Sequence, residues 1–309
     1  MPSDHSSIRP HRPVVVKLTP KTPSTQAPAT ARSDESLLAV WLQVLADCGY
    51  GIWLWLGTAM ALSIYSDGRG EALVPLLVGA AFVSLGLLLA GLRLPGTADW
   101  HGWRWGQSRR PTGRALMALA TYLPMLAVAA LARGENNFWA TRLACLILAL
   151  CSLACLTLIS YGHPNHVRTA QQADESADAK SALLPLGRVI AAGYSGGLWL
   201  WACVMAQAQP ISPALAWMLG LLSLALLLGL LEGIRWQTVA RTEQQATRAN
   251  GLRFIAAALS YALPCVLLLL ASFVHDIWWL AMLAGVSAVI GRSLEQWLFG
   301  RALARLRID

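Results

Sequence analysis

Two stretches decide how this chain is read. One is Gly49-Tyr50-Gly51-Ile52-Trp53-Leu54-Trp55-Leu56; the other is Gly193-Tyr194-Ser195-Gly196-Gly197-Leu198-Trp199-Leu200-Trp201. Each lies inside a long apolar run and each carries the signature Gly-Tyr-…-Trp-Leu-Trp. A second pair of stretches follows them in the same order. Arg114 opens a segment running to Ala118-Leu119-Ala120-Thr121-Tyr122-Leu123-Pro124, and Arg253 opens one running to Ala258-Leu259-Ser260-Tyr261-Ala262-Leu263-Pro264. Both then reach an aromatic pair, Phe138-Trp139 and Trp278-Trp279. Apolar helices share a small alphabet, so one match could arise by chance. Two signatures in the same order point instead to an internal duplication.

Working outward, eight apolar segments have roughly spanning length. They cover about 37–65, 72–92, 115–132, 143–161, 189–208, 214–231, 254–273 and 277–299. The expected fold is an all-α integral membrane protein of eight transmembrane helices. Residues 37–161 form a first four-helix half and 189–299 a second, joined by a linker loop at 162–188. An even number of helices per half forces the two repeats to run parallel. Residues 1–36, rich in Pro, Ser, Thr and Ala, read as a disordered cytoplasmic tail without the apolar core of a signal peptide. Residues 300–309 read as a basic C-terminal tail.

Composition agrees. The 309 residues are 56% hydrophobic and 13% charged, against about 25% charged in soluble domains. The net charge of +8 comes from arginines spread over loops between apolar runs. That spread fits topology-setting charge rather than a nucleic-acid-binding face. The loops after the second and sixth segments are rich in arginine, while those after the first, third, fifth and seventh are short and poor in it. The positive-inside rule then places both termini and the long loops in the cytoplasm. All six cysteines lie in apolar segments without ligand spacing and read as small buried side chains.

The loop from Arg93 to Arg114 concentrates the polar and aromatic chemistry: five arginines, three tryptophans and one histidine. Arg93, Trp100, His101, Trp103, Arg104, Trp105 and Arg114 are its candidate binding or docking residues. Indole rings suit headgroup depth, and guanidinium groups meet lipid phosphate or acidic partners. Topology-setting charge alone would also account for the arginines. Within the apolar segments, Asp47, Arg292 and Glu295 stand out, because ionisable groups at membrane depth are costly. Arg292 and Glu295, three apart, read as a pair on one helix face. Asp47 either pairs with an arginine from another helix or serves a proton path. Glu232, beside Arg235, reads as a solvated boundary residue. Pro124 and Pro264 are expected to kink their helices. The six histidines fall in tails and loops, which excludes a membrane haem held by helical histidines. No enzyme active site is legible.

On the Trp/Arg loop running into Ala118–Pro124, the eight-helix layout without haem ligands, and the ending Gly291-Arg292-Ser293-Leu294-Glu295-Gln296-Trp297-Leu298-Phe299, the chain resembles the membrane-anchor subunit of dimethyl sulfoxide reductase-type molybdoenzymes. The resemblance covers about Trp41 to Arg305. It implies a non-catalytic, haem-free anchor in the bacterial cytoplasmic membrane. Such a subunit docks an iron–sulfur subunit and a molybdopterin catalytic subunit. It takes electrons from menaquinol in the quinone pool during anaerobic respiration. The chain departs from that family at its proton-accepting positions. Arg93 stands where the family has histidine, Arg114 where it has glutamate, and Arg292 where it has glutamate. Arginine stays protonated and cannot accept the protons that quinol oxidation releases. His101 or Asp47 would have to substitute, or the chain binds quinone without that chemistry, or it only anchors. The other readings are a small-molecule transporter and a membrane scaffold with no redox role.

Overall fold

The computed structural model describes residues 37–65, 69–91, 113–132, 138–161, 176–207, 214–240, 247–273 and 278–305. All the regular structure among them is helical. The helices are α1 (Leu37–Ala61), α2 (Arg69–Gly91), α3 (Gly113–Ala120), α4 (Tyr122–Leu131), α5 (Trp139–Tyr161), α6 (Ser176–Ala206), α7 (Ala214–Ala240), α8 (Thr247–Ala257), a π-helical turn (Ala258–Ala262), α9 (Leu263–Phe273) and α10 (Trp278–Arg305).

Five of the described segments are long and apolar enough to cross a membrane: Glu71–Leu88, Trp139–Leu158, Pro185–Ala206, Ala216–Gln237 and Gly251–Ala271. The expected first and eighth spans are present as α1 and α10, but neither is among these five. Arg292 and Glu295 make α10 more polar. The expected third span is divided between α3 and α4, and its apolar part, Leu116–Leu131, is short. Leucines cover the outside of the bundle; Leu226 is 79% and Leu123 70% exposed. An outer surface of this kind suits lipid rather than water.

The packing follows an order. In the first half α1 packs on α2 and α5, α4 on α5, and α2 on α4. In the second, α6 packs on α7 and α10, α9 on α10, and α7 on α9. Between them α1 meets α6 and α10, and α5 meets α6. Among the described glycines, those at the α1–α6 crossing leave the least room for a side chain. A Cβ on Gly51 would collide with the Ala192 carbonyl, and one on Gly196 would collide with the Gly51 backbone. Small residues are what let two backbones approach so closely. Beside the crossing, Trp55 donates its indole N–H to the Gly193 carbonyl at 2.7 Å. Trp53 lies against Gly79 of α2, and Trp199 against Gly285 of α10. Gly51 and Gly196, one from each opening signature, thus form the crossing, while Gly49 faces α2 and Gly197 faces Leu221 and Trp55.

Both prolines sit just beyond a helix irregularity. Proline lacks the N–H that would bond the carbonyl four residues back. Before Pro124 the chain stays helical through Thr121, whose N–H bonds the Met117 carbonyl at 3.1 Å and whose hydroxyl turns onto the Ala118 carbonyl at 2.6 Å, but the bond from the Met125 N–H to the Thr121 carbonyl lengthens to 3.4 Å. Before Pro264 the backbone widens into the π-turn, and the Leu263 N–H bonds the Ala258 carbonyl. The displaced Leu259 carbonyl accepts the Ser287 hydroxyl of α10 at 2.7 Å. A side chain from a neighbouring helix therefore replaces a backbone donor, as apolar surroundings require.

Three expectations change. Helix α6 begins at Ser176, inside the stretch read as the 162–188 linker, so Arg188 is helical. Helix α7 continues to Ala240, past the expected end at Leu231, and carries Glu232 and Arg235 on the bundle. Helix α1 ends at Ala61, short of Tyr65. There the Ser63 N–H bonds Met60 O and the Ile64 N–H bonds Ala59 O, with Ser63 at φ 58°. This is a Schellman closure with serine at the left-handed position glycine usually takes.

Candidate functional site

Among the described residues, two buried ionic centres lie inside the bundle, both built across helices. In the first, Arg188 of α6 grips Asp47 of α1. Its Nε donates to Oδ2 at 2.9 Å and its Nη2 to Oδ1 at 2.6 Å. The geometry is the fork-on-fork pairing that only arginine makes. It sits about one turn from the Gly51–Gly196 crossing, so α1 and α6 are held by a charge pair next to their closest approach. Both Asp47 oxygens are engaged. Of the two roles expected for Asp47, the structure places it in pairing with an arginine from another helix.

The second centre joins three elements. Arg292 of α10 sends Nη1 to Glu232 Oε1 of α7 at 3.0 Å, to Glu295 Oε2 at 3.2 Å, and to the Tyr261 hydroxyl of the π-turn at 3.4 Å. Tyr261 donates its hydroxyl to Glu295 Oε2 at 3.1 Å. Arg235 reaches Glu232 Oε1 from the edge at 3.4 Å. The side chains of Arg292, Glu232 and Glu295 are almost wholly buried, while that of Arg235 is 32% exposed. Glu232 is therefore not a solvated boundary residue. It is 7% exposed and forms the α7 corner of this centre, because α7 runs on past it.

Local sequence explains the arrangement. Gly291 precedes Arg292, and a Cβ there would strike Ser260. The missing side chain lets α10 seat against the π-turn, which brings Tyr261 beside Arg292 and Glu295. The Arg292–Glu295 spacing of three keeps both on one face. At this centre two buried oxygens, Glu232 Oε2 and Ser260 Oγ, have no hydrogen-bond partner. Tyr122, in the other Arg-…-Tyr-…-Pro stretch, shares a hydrogen bond with the Ser84 hydroxyl at 2.8 Å and packs edge to face on Trp53.

Beyond this centre, arginines lie over aromatic faces. Arg235 sits 3.7 Å from the Phe299 ring centroid, Arg253 4.4 Å from that of Trp236, and Arg301 4.5 Å from that of Trp297. Trp236 and Phe299 pack edge to face. Tryptophan and arginine in one collar fit a membrane–water boundary.

The loop candidates are placed differently. Arg93, Trp100, His101, Trp103, Arg104 and Trp105 lie outside the described residues, and Arg114 falls in the first turn of α3. Of the remaining candidates, the structure brings Arg292 and Glu295 together and sets Asp47 in the other centre. Sequence reasoning did not single out Arg188, Tyr261 or Ser260. The Arg-…-Tyr-…-Pro signature did contain Tyr261, but nothing local showed that α10 would deliver charges to it. Among the described residues, no three His, Cys, Asp or Glu side chains converge as a metal site would require. Comparison with protein-family models, curated proteins and solved structures returned no match.

Proposed function

We propose that the chain is a multi-pass anchor in the bacterial cytoplasmic membrane, with eight spans in two parallel halves and both termini in the cytoplasm. In this reading it docks an iron–sulfur subunit and a molybdopterin catalytic subunit and passes them electrons from menaquinol. The observation that carries it is local. The ending Gly291–Phe299, one of the stretches on which the resemblance rests, supplies Gly291, Arg292 and Glu295 to the buried polar centre and Phe299 to the arginine–aromatic collar. The matched packing order of α1–α5 and α6–α10 supports the duplicated architecture.

The chemistry this demands is an acceptor for the protons of quinol. Arg93 and Arg114 cannot serve, and Asp47 is held at both oxygens by Arg188. His101 and the carboxylates of α7 and α10 are the groups that can. The test is gentle purification from the native membrane followed by quinol-analogue oxidation. Co-purification of an iron–sulfur and a molybdopterin subunit, with quinol-dependent reduction, is the expected outcome. Recovery as a lone homo-oligomer would sink the anchor role. An intact complex without quinol-dependent reduction would leave only anchoring.

A transporter is the second reading. The π-turn and a charged centre inside the bundle are features such proteins use. Proton-dependent uptake of a solute by vesicles containing the chain alone would favour it.

A further inference from the structure

We propose that Glu232 and Glu295, bridged by Arg292, hold one exchangeable proton between them, so that this centre is a proton-binding site inside the second half of the bundle. This goes beyond the quinol reading and does not depend on it.

The innermost groups are one guanidinium and two carboxylates, all nearly buried. Arg235, the second cation, stands at the edge with its side chain a third exposed, where solvent screens it. With both carboxylates ionised the three innermost groups carry one negative charge, which Arg235 offsets only from the rim through its 3.4 Å contact with Glu232 Oε1, and such a charge is costly away from water. One proton removes it. Hydrogen-bond supply points the same way. Arg292 Nη1 has two hydrogens and faces three oxygens, those of Glu232, Glu295 and Tyr261. Glu232 Oε2 receives no donor. Ser260, fully buried against Gly291, also has a hydroxyl without a partner. Two carboxylates around one nitrogen titrate as a pair, so the proton belongs to the pair rather than to either residue.

Among the described residues, Arg292, Arg235 and Tyr261 act on the pair; Arg235 favours the ionised form of Glu232 and lies farther from Glu295, which leaves Glu295 the weaker-compensated carboxylate. Arg292 also acts through space on Asp47, but Asp47 and Arg188 neutralise each other. The repeated signature does not itself call for charge, since Tyr122 of the other Arg-…-Tyr-…-Pro stretch bonds neutral Ser84. The step is simple: a hydronium ion gives its proton to a carboxylate oxygen and leaves as water, one O–H bond breaking as another forms, and the charge of the three innermost groups goes from minus one to zero.

The test is infrared difference spectroscopy of the full chain in lipid between alkaline and acid pH, in H2O and D2O. A deuterium-sensitive carbonyl band of a buried carboxylic acid is expected. It should be lost or shifted in Glu232→Gln and in Glu295→Gln, and unchanged in Glu71→Gln. Should the glutamine variants not fold, Tyr261→Phe removes the hydroxyl that donates to Glu295 and accepts from Arg292, and should shift the same band. Absence of the band in the wild type overturns the proposal, as does a band indifferent to Glu232→Gln and Glu295→Gln or, in their place, to Tyr261→Phe. No quinol enters the assay, so its failure is distinct from failure of the electron-transfer reading.

Discussion

Asp47 and Arg188 form the pair whose removal is easiest to read. Asp47→Ala leaves a buried guanidinium without its carboxylate, and Arg188→Ala leaves the reverse. Each should destabilise the folded bundle by about 3–5 kcal/mol. Replacing both, as Asp47→Leu with Arg188→Met, should recover most of that loss, because apolar packing substitutes for a desolvated pair. Denaturant titration of the purified protein would measure it, and a double variant as weak as the singles would contradict it. Ser63 offers the opposite sign. It sits at φ 58° in the closure of α1, where a Cβ costs roughly 1–2 kcal/mol. Ser63→Gly should stabilise by up to about 1 kcal/mol, less the extra freedom glycine gives the unfolded chain. These two sites differ in what sequence shows. Asp47 is conspicuous in an apolar run, but its partner lies 141 positions away. Ser63 carries no signal, since serine is unremarkable after a helix.

At the scale of elements, the α1–α6 crossing and the π-turn are the informative pieces. Gly51→Val puts a branched side chain where even a Cβ meets the Ala192 backbone. Overpacking of this kind costs about 1–3 kcal/mol. Backbone contact on a rigid helix leaves little room to relax, so the upper end is expected. Gly220 has open space around it, and Gly220→Ala should be neutral or slightly stabilising in the same unfolding assay. In the π-turn, Ser287→Ala removes the donor to the Leu259 carbonyl. The loss should be about 0.6–2 kcal/mol, and it should be accompanied by faster amide exchange around residues 258–263. Unchanged exchange there would mean that the turn holds without α10. The prolines made both irregularities foreseeable. That the helix would run on through Thr121 before Pro124 but widen into a π-turn before Pro264 was not, because the π-turn is met by Gly291 and Ser287 arriving from α10.

The whole molecule presents leucine outward and charge pairs inward, and this sets what can reach it. Cys48, Cys145, Cys155 and Cys203 are buried and unbridged, while Cys151 and Cys265 are half-buried. A membrane-impermeant maleimide should leave these six unlabelled in the folded protein and label them after denaturation, read by mass shift. A cysteine introduced as Gly102→Cys, in the loop of three tryptophans, should label from the cytoplasmic side alone. Labelling from outside intact cells would reverse the orientation proposed from the arginine-rich loops.

Apolar length, the scarcity of charge and the two repeated signatures are local properties of the chain, so sequence alone determined a helical, membrane-suited protein with prolines at two irregular turns. It also marked Asp47, Arg292 and Glu295, since a charge inside an apolar run is visible without knowing its neighbours. Their partners are set by which helices cross and at what height. Arg188 looked like a loop residue until α6 was seen to begin at Ser176, and Glu232 looked solvated until α7 was seen to continue to Ala240. Tertiary structure alone decided that Glu232, Tyr261, Arg292 and Glu295 share one buried centre. Coulombic and hydrogen-bond energies depend on distance in space, and positions 232 and 292 reach 3.0 Å only through the packing of α7 and α10.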